Sequence, residues 1–492
     1  MKNKASLLLI ILTLATSYNS LAKDRNIQRH VNQMKKDTLF GNSVVGLMVM
    51  DSKGRCVASW NPDSPLLTAS TMKTISTGLA LHILGPDYRF RTRIGYSGVI
   101  SDGVLDGDLY IIGGGDPTLG SKDTVATPIE KIFTIWHEAL EAAGIKKIRG
   151  SIIGDDRFFE NEAIPDSWSW SNLGPYYGST ASGLSFCENL QYFTFVPGKT
   201  RGEPVEFSSV YPELPGMEYK NKMTTGGEGT GDRSSYYISD LSKVGVFKGS
   251  LGSGRESYTL TGSSKFAPLM CAEEFRRFLA SAGVECQNGV REVSDITPLP
   301  QEQLAIICET YSPRLISIIN VTNRISNNFY AETLFKMIGK QMTGVGSYDS
   351  SMVAAKRLLA GMGLSLRGYT QVDGSGLSRQ NYVSARFFCK YFARMKEMNN
   401  FAEFVGSLPQ PGGPGTLKNV LKNVENSTKS KIHAKSGSLS NVRCYAGYVE
   451  KKRGEYYYFA ILTNNYPART ADMQVGVERF LGTLVNVKLK KQ

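Results

Sequence analysis

The chain has 492 residues, 41% hydrophobic and 21% charged, which is too long for one compact core and too apolar for a disordered polymer. Two or three globular domains are expected, and 50 glycines with 24 tyrosines and 22 phenylalanines lean toward strands joined by turns. A net charge of +13 without any basic-aromatic module argues against nucleic acid and suits either a surface drawn to anionic wall or membrane polymers or a dispersed charge that serves solubility.

In chain order, the first segment reads as a leader. Met1-Lys2-Asn3-Lys4 is basic, Leu7 to Ala15 is apolar, and Ser20-Leu21-Ala22 forms a small-x-small cleavage site. The apolar run is too short for a hydrocarbon core of about 30 Å, and no Cys follows it to carry a lipid. Residues 1–22 are therefore expected to be a signal peptide, with a mature chain from near Lys23 that is exported and carries about +11. A short polar helix is expected over Asn26–Lys36, then strands Val44–Met50 and Val57–Trp60 around the turn Asp51-Ser52-Lys53-Gly54. From Ser70 the period turns helical, with Met72, Ile75, Leu79 and Ile83 on one face and Gly85-Pro86 as the stop.

A long hairpin, Arg91–Val99 with Leu105–Ile112, is expected around Ser101-Asp102-Gly103, followed by a helix over Pro128–Ala143 and a strand over Ile148–Ile153. Short apolar runs broken by glycine and proline make Gln191–Thr261 β-rich, and a helix over Ala267–Ala282 closes the stretch. Helices return at Leu315–Val321, Asn328–Ile338, Ser350–Met362 and Ala385–Met398. Strands Val442–Val449 and Tyr456–Leu462 and a helix over Thr470–Val485 follow. The two ends read alike and the middle differs, so residues 23–90 and 300–492 are expected to form one discontinuous domain. Residues 91–299 would be inserted as two domains, the nested one near 190–262.

The seven cysteines, scattered over this length, do not make a disulfide framework; Cys271 with Cys286 is the pair expected if any bridge forms. Only four histidines occur (His30, His82, His137 and His433), and no Gly-x-Ser-x-Gly elbow gives any of them a serine partner. His-Glu-x-x-His is absent, as is the phosphate-loop pattern, so a zinc peptidase and a nucleotide-binding loop are set aside and no cofactor is expected.

Ser70-Thr71-Met72-Lys73 is the sharpest chemical feature. A serine in the first turn of a helix gains from the positive end of the dipole as its oxygen becomes anionic, and a lysine three residues on lies over the same face. Desolvated, that amine can take the serine proton. Alone the pattern is weak, since serine is an ordinary helix cap and Ser20 to Lys23 repeats the spacing. Ser326-Asn327-Asn328 follows at the start of an expected helix, and then Lys435-Ser436-Gly437 with Ser438, where a cation, hydroxyls and a glycine suit an extended substrate with a terminal carboxylate. Ser-x-x-Lys, Ser-x-Asn and Lys-Ser/Thr-Gly in this order resemble the signature of penicillin-binding proteins and class A β-lactamases.

Further runs narrow the likeness: Gly113-Gly114-Gly115-Asp116-Pro117-Thr118-Leu119, Gly154-Asp155-Asp156 with Phe158, Trp168, Tyr176, Asp373-Gly374-Ser375-Gly376-Leu377-Ser378 and Gly415-Thr416-Leu417. With the long spacer between Lys73 and Ser326, the mature chain resembles the D-alanyl-D-alanine carboxypeptidase/endopeptidase family, the class C low-molecular-mass penicillin-binding proteins. A β-lactamase shares the chemistry but leaves that spacer unexplained.

The resemblance implies an α/β fold, a transpeptidase-like domain with an antiparallel sheet flanked by helices, interrupted by two mainly β insertion domains. It implies that Ser70 is the acylated nucleophile, Lys73 its general base and Ser326 the proton relay to the leaving amine, with no metal or cofactor. Asn328 would hold the substrate's amide side, Lys435 and Ser436 its terminal carboxylate beside Gly437, and the N–H groups of Ser70 and Ser438 the oxyanion. Peptidoglycan stem peptides would be substrates, β-lactams covalent inhibitors and the periplasm the location, otherwise the wall surface or the medium. Two positions depart from the family pattern: Thr68-Ala69 stands where Pro-Ala is usual, and Ser436 where Thr is commoner. The rival from another class is a wall-binding scaffold without turnover, against which the complete set of five polar residues argues.

Overall fold

The computed structural model describes residues 25–160, 162, 164–296, 304–487 and 489, so the expected leader and its cleavage site lie outside the described residues. The chain divides into two compact units. One holds the described residues through Gly78, then Asn323–Ser326, and those from Lys356 onward; the other holds Leu79–Thr322 and Asn327–Ala355.

The first unit is built on a five-stranded antiparallel sheet. Its strands are β1 (Val44–Met50), β2 (Cys56–Trp60), β3 (Ile432–Leu439), β4 (Val442–Lys452) and β5 (Glu455–Asn464), in the order β2-β1-β5-β4-β3. β5 is central and nearly continuously apolar because both its faces are covered. Leu47, Val49, Phe459 and Ile461 bury one face against the helix over residues 25–34 and the helix Thr470–Leu484. Each such side chain contributes about 1.5–3 kcal/mol relative to exposure. The opposite face carries the helix Ala385–Lys396, capped by the Ser384 hydroxyl, which accepts from Phe387 N–H. Cys389 of that helix donates its thiol to the Met48 and Tyr458 carbonyls.

The second unit contains a mixed five-stranded sheet formed by Arg91–Tyr96, Leu109–Ile112, Ile152–Asp155, Val290–Glu292 and Ala305–Tyr311, and a smaller four-stranded one. Helices Ile129–Ala142 and Ala267–Ser281 pack together, with Trp136 and Phe275 edge to face at 5.1 Å. Two three-stranded sheets from Leu190–Val196 to Tyr258–Ser263 enclose a separate aromatic core around Phe193, Phe195 and Phe247. The expected long hairpin is not one ribbon. Its arms break at Ser97-Gly98 and Gly107-Asp108, and the outer halves join the four-stranded sheet. A Cβ on Gly107 would lie 2.0 Å from the Ser97 carbonyl, so the two backbones cross too closely for any side chain. The strand expected over Ile148–Ile153 splits between the same two sheets.

The Cys271–Cys286 bridge is also corrected, for all seven cysteines are free thiols. Cys271 faces the core of its helix, while Cys286 donates to the Gly150 and Gly289 carbonyls.

Candidate active site

Ser70 does not sit in the first turn of an α-helix. It lies in a single 3-10 turn, Ala69–Met72, and the α-helix Lys73–Leu84 begins only afterwards. The expected apolar face is nonetheless correct: Met72, Ile75 and Leu79 are fully buried, and Ile83 is half-buried. The turn is anchored upstream, where Leu67 exchanges hydrogen bonds with the Asn464 side chain at 2.8 and 3.2 Å. Lys73 is fully buried, and its Nζ is 2.9 Å from Ser70 Oγ and 3.0 Å from the Ser375 carbonyl.

That carbonyl is supplied by a loop with its own scaffold. Asp373, fully buried, accepts from the N–H groups of Gly376 (2.7 Å) and Ser378 (2.6 Å) and from Asn381 Nδ2 (2.8 Å). Ser76 Oγ, one turn beyond Lys73, donates to the Gly374 carbonyl. Gly376 is left-handed at φ +81°, and a Cβ there would lie 2.0 Å from the Ala69 carbonyl. The Asp-Gly-Ser-Gly run is thus a brace for the Ser70 turn, a role that its spacing does not disclose.

Lys435-Ser436-Gly437 lies on β3, an edge strand that the sequence reading did not place. Lys435 pairs with Ala446 and Gly437 with Cys444 on β4. Ala434 N–H leaves the sheet to reach the Pro409 carbonyl, and antiparallel alternation sends the N–H groups of Ser436 and Ser438 outward on the same side. A Cβ on Gly437 would lie 2.7 Å from the Thr68 carbonyl and 2.9 Å from Ser70 N, so only glycine lets the strand approach the Ser70 turn. Lys435 is fully buried, with Nζ 2.8 Å from Ser326 Oγ and 2.9 Å from the Ser436 carbonyl. Burial, then the positive charges of Lys73 and Arg443, drive Lys435 well below the ordinary lysine range.

Ser326 is held left-handed at φ +65°, an uncommon state for a non-glycine residue and one that clusters at working sites. Beside it, Thr416 N–H donates to the Arg324 carbonyl, which gives the Gly-Thr-Leu run its place. Asn328 belongs to the second unit, where it opens the helix Asn328–Thr343 and donates from Nδ2 to the Tyr177 carbonyl at 2.8 Å. Four of the expected residues, Ser70, Lys73, Ser326 and Lys435, thus meet within the first unit as two serine–lysine pairs at a sheet edge; Ser436 follows Lys435 on the strand, and Ser438 lies exposed two residues beyond. Such a pair can move a hydroxyl proton to a desolvated amine without a histidine. Among the described residues no group of three or more His, Cys, Asp or Glu is arranged to hold a metal ion.

A second polar region lies wholly in the second unit. It is a cavity of about 300 Å³ lined by Asp156, Lys243, Lys265, Glu292 and neighbours, and it contains none of the expected site residues. Burial, with Asp156 and Asp295 close by, raises the Glu292 carboxyl to about 7.

A serine–lysine hydroxyl-activating site beside an edge strand is the class that this geometry defines. The D-Ala-D-Ala carboxypeptidase 3 (S13) family model matches residues 27–483, and the chain belongs to that family of serine hydrolases. It is similar to the D-alanyl-D-alanine carboxypeptidase of Actinomadura sp., 27% identical, covering 90% of this chain and 82% of the relative. The D-alanyl-D-alanine carboxypeptidase DacB of Haemophilus influenzae is 24% identical, covering 87% of this chain and 86% of the relative. Among solved structures, penicillin binding protein 4 of Haemophilus influenzae superposes with a TM-score of 0.80 at 22% identity, over 93% of this chain and 98% of that one. Its complex with a β-lactam gives 0.75 at 21%, over 93% of this chain and 99% of that one. The fold is therefore the transpeptidase-like α/β architecture with inserted domains.

Proposed function

We propose that this chain is a serine D,D-peptidase that hydrolyses D-Ala-D-Ala termini, D-amino-acid cross-links of peptidoglycan peptides, or both, through an acyl-enzyme on Ser70. The observation that carries the reading is the Lys73–Ser70 hydrogen bond of 2.9 Å at a fully buried amine. Lys73 accepts the hydroxyl proton as Ser70 Oγ attacks the carbonyl carbon of the penultimate residue. The oxyanion is held by the N–H groups of Ser70 and Ser438, where losing one such donor typically costs ~10²–10³ in rate. The C–N bond then breaks, Ser326 passes a proton to the leaving amine, and water hydrolyses the ester to free Ser70.

Asn328 holds the amide side of the substrate, while Lys435, Ser436 and the Gly437-Ser438 backbone receive its terminal carboxylate. Because burial and the neighbouring cations disfavour the charged form of Lys435, an incoming carboxylate recharges it. Binding of a D-Ala-D-Ala peptide to the Ser70→Ala variant should therefore take up protons, seen by calorimetry in two buffers of different ionisation enthalpy; proton release would refute this role. The enzyme is exported, to the periplasm, where a basic surface meets anionic wall and membrane polymers. Cell fractionation that recovers it in the cytoplasm would overturn that placement.

The decisive experiment is mass spectrometry of the protein after incubation with penicillin. Ring opening adds the whole mass of the drug, and peptide mapping should place it on Ser70. Ser70→Ala should remain folded, gain no mass and release no D-Ala from peptides; release at the wild-type rate would sink the assignment. Digests of cross-linked and uncross-linked muropeptides apportion the two bond types.

A further inference from the structure

The residue between Ser326 and Asn328 is held by a carboxylate that no motif announces. Asn327 Nδ2 donates to Glu188 Oε2 at 2.7 Å, and Asn327 Oδ1 accepts from Tyr330 N–H at 3.0 Å, capping the helix Asn328–Thr343. Ser121 Oγ donates to the other carboxylate oxygen, Glu188 Oε1, at 2.7 Å, and Tyr330 Oη donates to Ser121 Oγ at 3.2 Å. The four residues close a ring inside the second unit, its last link the Tyr330 backbone N–H, and burial raises the Glu188 carboxyl above its usual range.

The backbone beneath Glu188 is unusual. Cys187, Glu188 and Asn189 are all left-handed, at φ +50°, +57° and +53°, which three successive non-glycine residues seldom adopt. The turn is over-determined: Cys187 N–H reaches the Leu119 carbonyl, Asn189 Nδ2 the Thr180 carbonyl, and the Ser179 hydroxyl donates to the carbonyls of Glu188 and Asn189. Ser179 stands two residues after Tyr177, whose carbonyl receives Asn328 Nδ2. Both asparagines of the Ser-Asn-Asn motif are therefore tied to one strained turn, Asn327 through the Glu188 side chain and Asn328 through Tyr177.

We infer that Glu188 is a positioning residue for acylation: its carboxylate fixes Asn327, and Asn327 in turn fixes the peptide that aims Asn328 at the substrate. This rests on the reading of Ser326-Asn327-Asn328 as a working motif. A carboxylate is required because both of its oxygens accept, which an amide cannot do.

The test measures penicillin acylation per titrated active site, together with the thermal midpoint. Wild type acylated on Ser70 shows that the underlying reading holds, independently of Glu188. Glu188→Ala should acylate at least tenfold more slowly, and Glu188→Gln, which keeps one acceptor and the shape, by an intermediate factor. Asn327→Ala should be equally slow with or without Glu188→Ala, because the carboxylate acts through Asn327. Variants that lose only thermal stability and react at the wild-type rate per site would overturn the inference, as would a further tenfold loss in the Asn327→Ala background. If Glu188→Ala does not fold, Glu188→Gln carries the test, and a wild-type rate there overturns the inference.

Discussion

Buried lysines occur in both units, and what they touch separates them. Lys435 in the first unit and Lys265 in the second are both pulled below the ordinary lysine range chiefly by burial, Lys265 to about 7. Lys265 spends its Nζ on the Gly178 carbonyl at 2.9 Å, an acceptor with no proton to give. Lys73 and Lys435 each touch a serine hydroxyl, at 2.9 and 2.8 Å, and each hydroxyl can lose or pass on a proton. A depressed lysine is thus common to structure and chemistry, and the partner decides which it serves.

The largest effect expected from this contrast is on acylation. Lys73→Ala removes the proton acceptor beside Ser70 and should slow acylation by penicillin about 10²–10⁴-fold, the range for a lost general base. Lys265→Met should leave the rate per titrated site at wild type. Stopped-flow acylation of both variants checks the pair, and equal losses would erase the distinction between the two lysines.

The legibility of these parts differs for physical reasons. Helical periods placed Met72, Ile75 and Leu79 on a buried face, because a 3.6-residue repeat survives without tertiary information. The start of that helix is not legible in the sequence, since a 3-10 turn and an α-helical turn carry the same residues in the same order. Strand β3 was not read, for Lys435-Ser436-Gly437 has neither apolar alternation nor strand preference; the edge is held by its pairing with β4. Motif order found Ser70, Lys73, Ser326 and Lys435. It did not find Glu188, which is distant in sequence from Asn327 and meets it through the fold alone. The thiols were unreadable in the same way, because pairing depends on distances that spacing does not encode.

A smaller effect sharpens the comparison through stability. Lys265 has a folded value of about 7, below that of an unfolded lysine near 10.4. Below pH 7 both states hold the proton. Between about pH 7 and 10 the unfolded chain holds more protons than the fold, so stability contributed by this site rises with pH. Lys265→Met removes that gain. The increase in urea resistance of wild type from pH 7 to pH 10 should exceed that of the variant, and identical increases would show that Lys265 is not the group responsible.

The smallest effect concerns Thr68, two residues before the nucleophile, where the family usually carries proline. Thr68 is fully buried, and its carbonyl accepts from Thr71 Oγ1 at 2.7 Å while its own Oγ1 has no partner among the described residues. A buried hydroxyl left unpaired costs about 1–3 kcal/mol. Thr68→Val keeps the β-branched shape and removes the orphaned oxygen. The variant should unfold at least about 2 °C higher in its first thermal transition, with acylation unchanged. A tenfold slower acylation would instead show that the Thr68 hydroxyl takes part at the site, and that the departure from proline has chemical consequences.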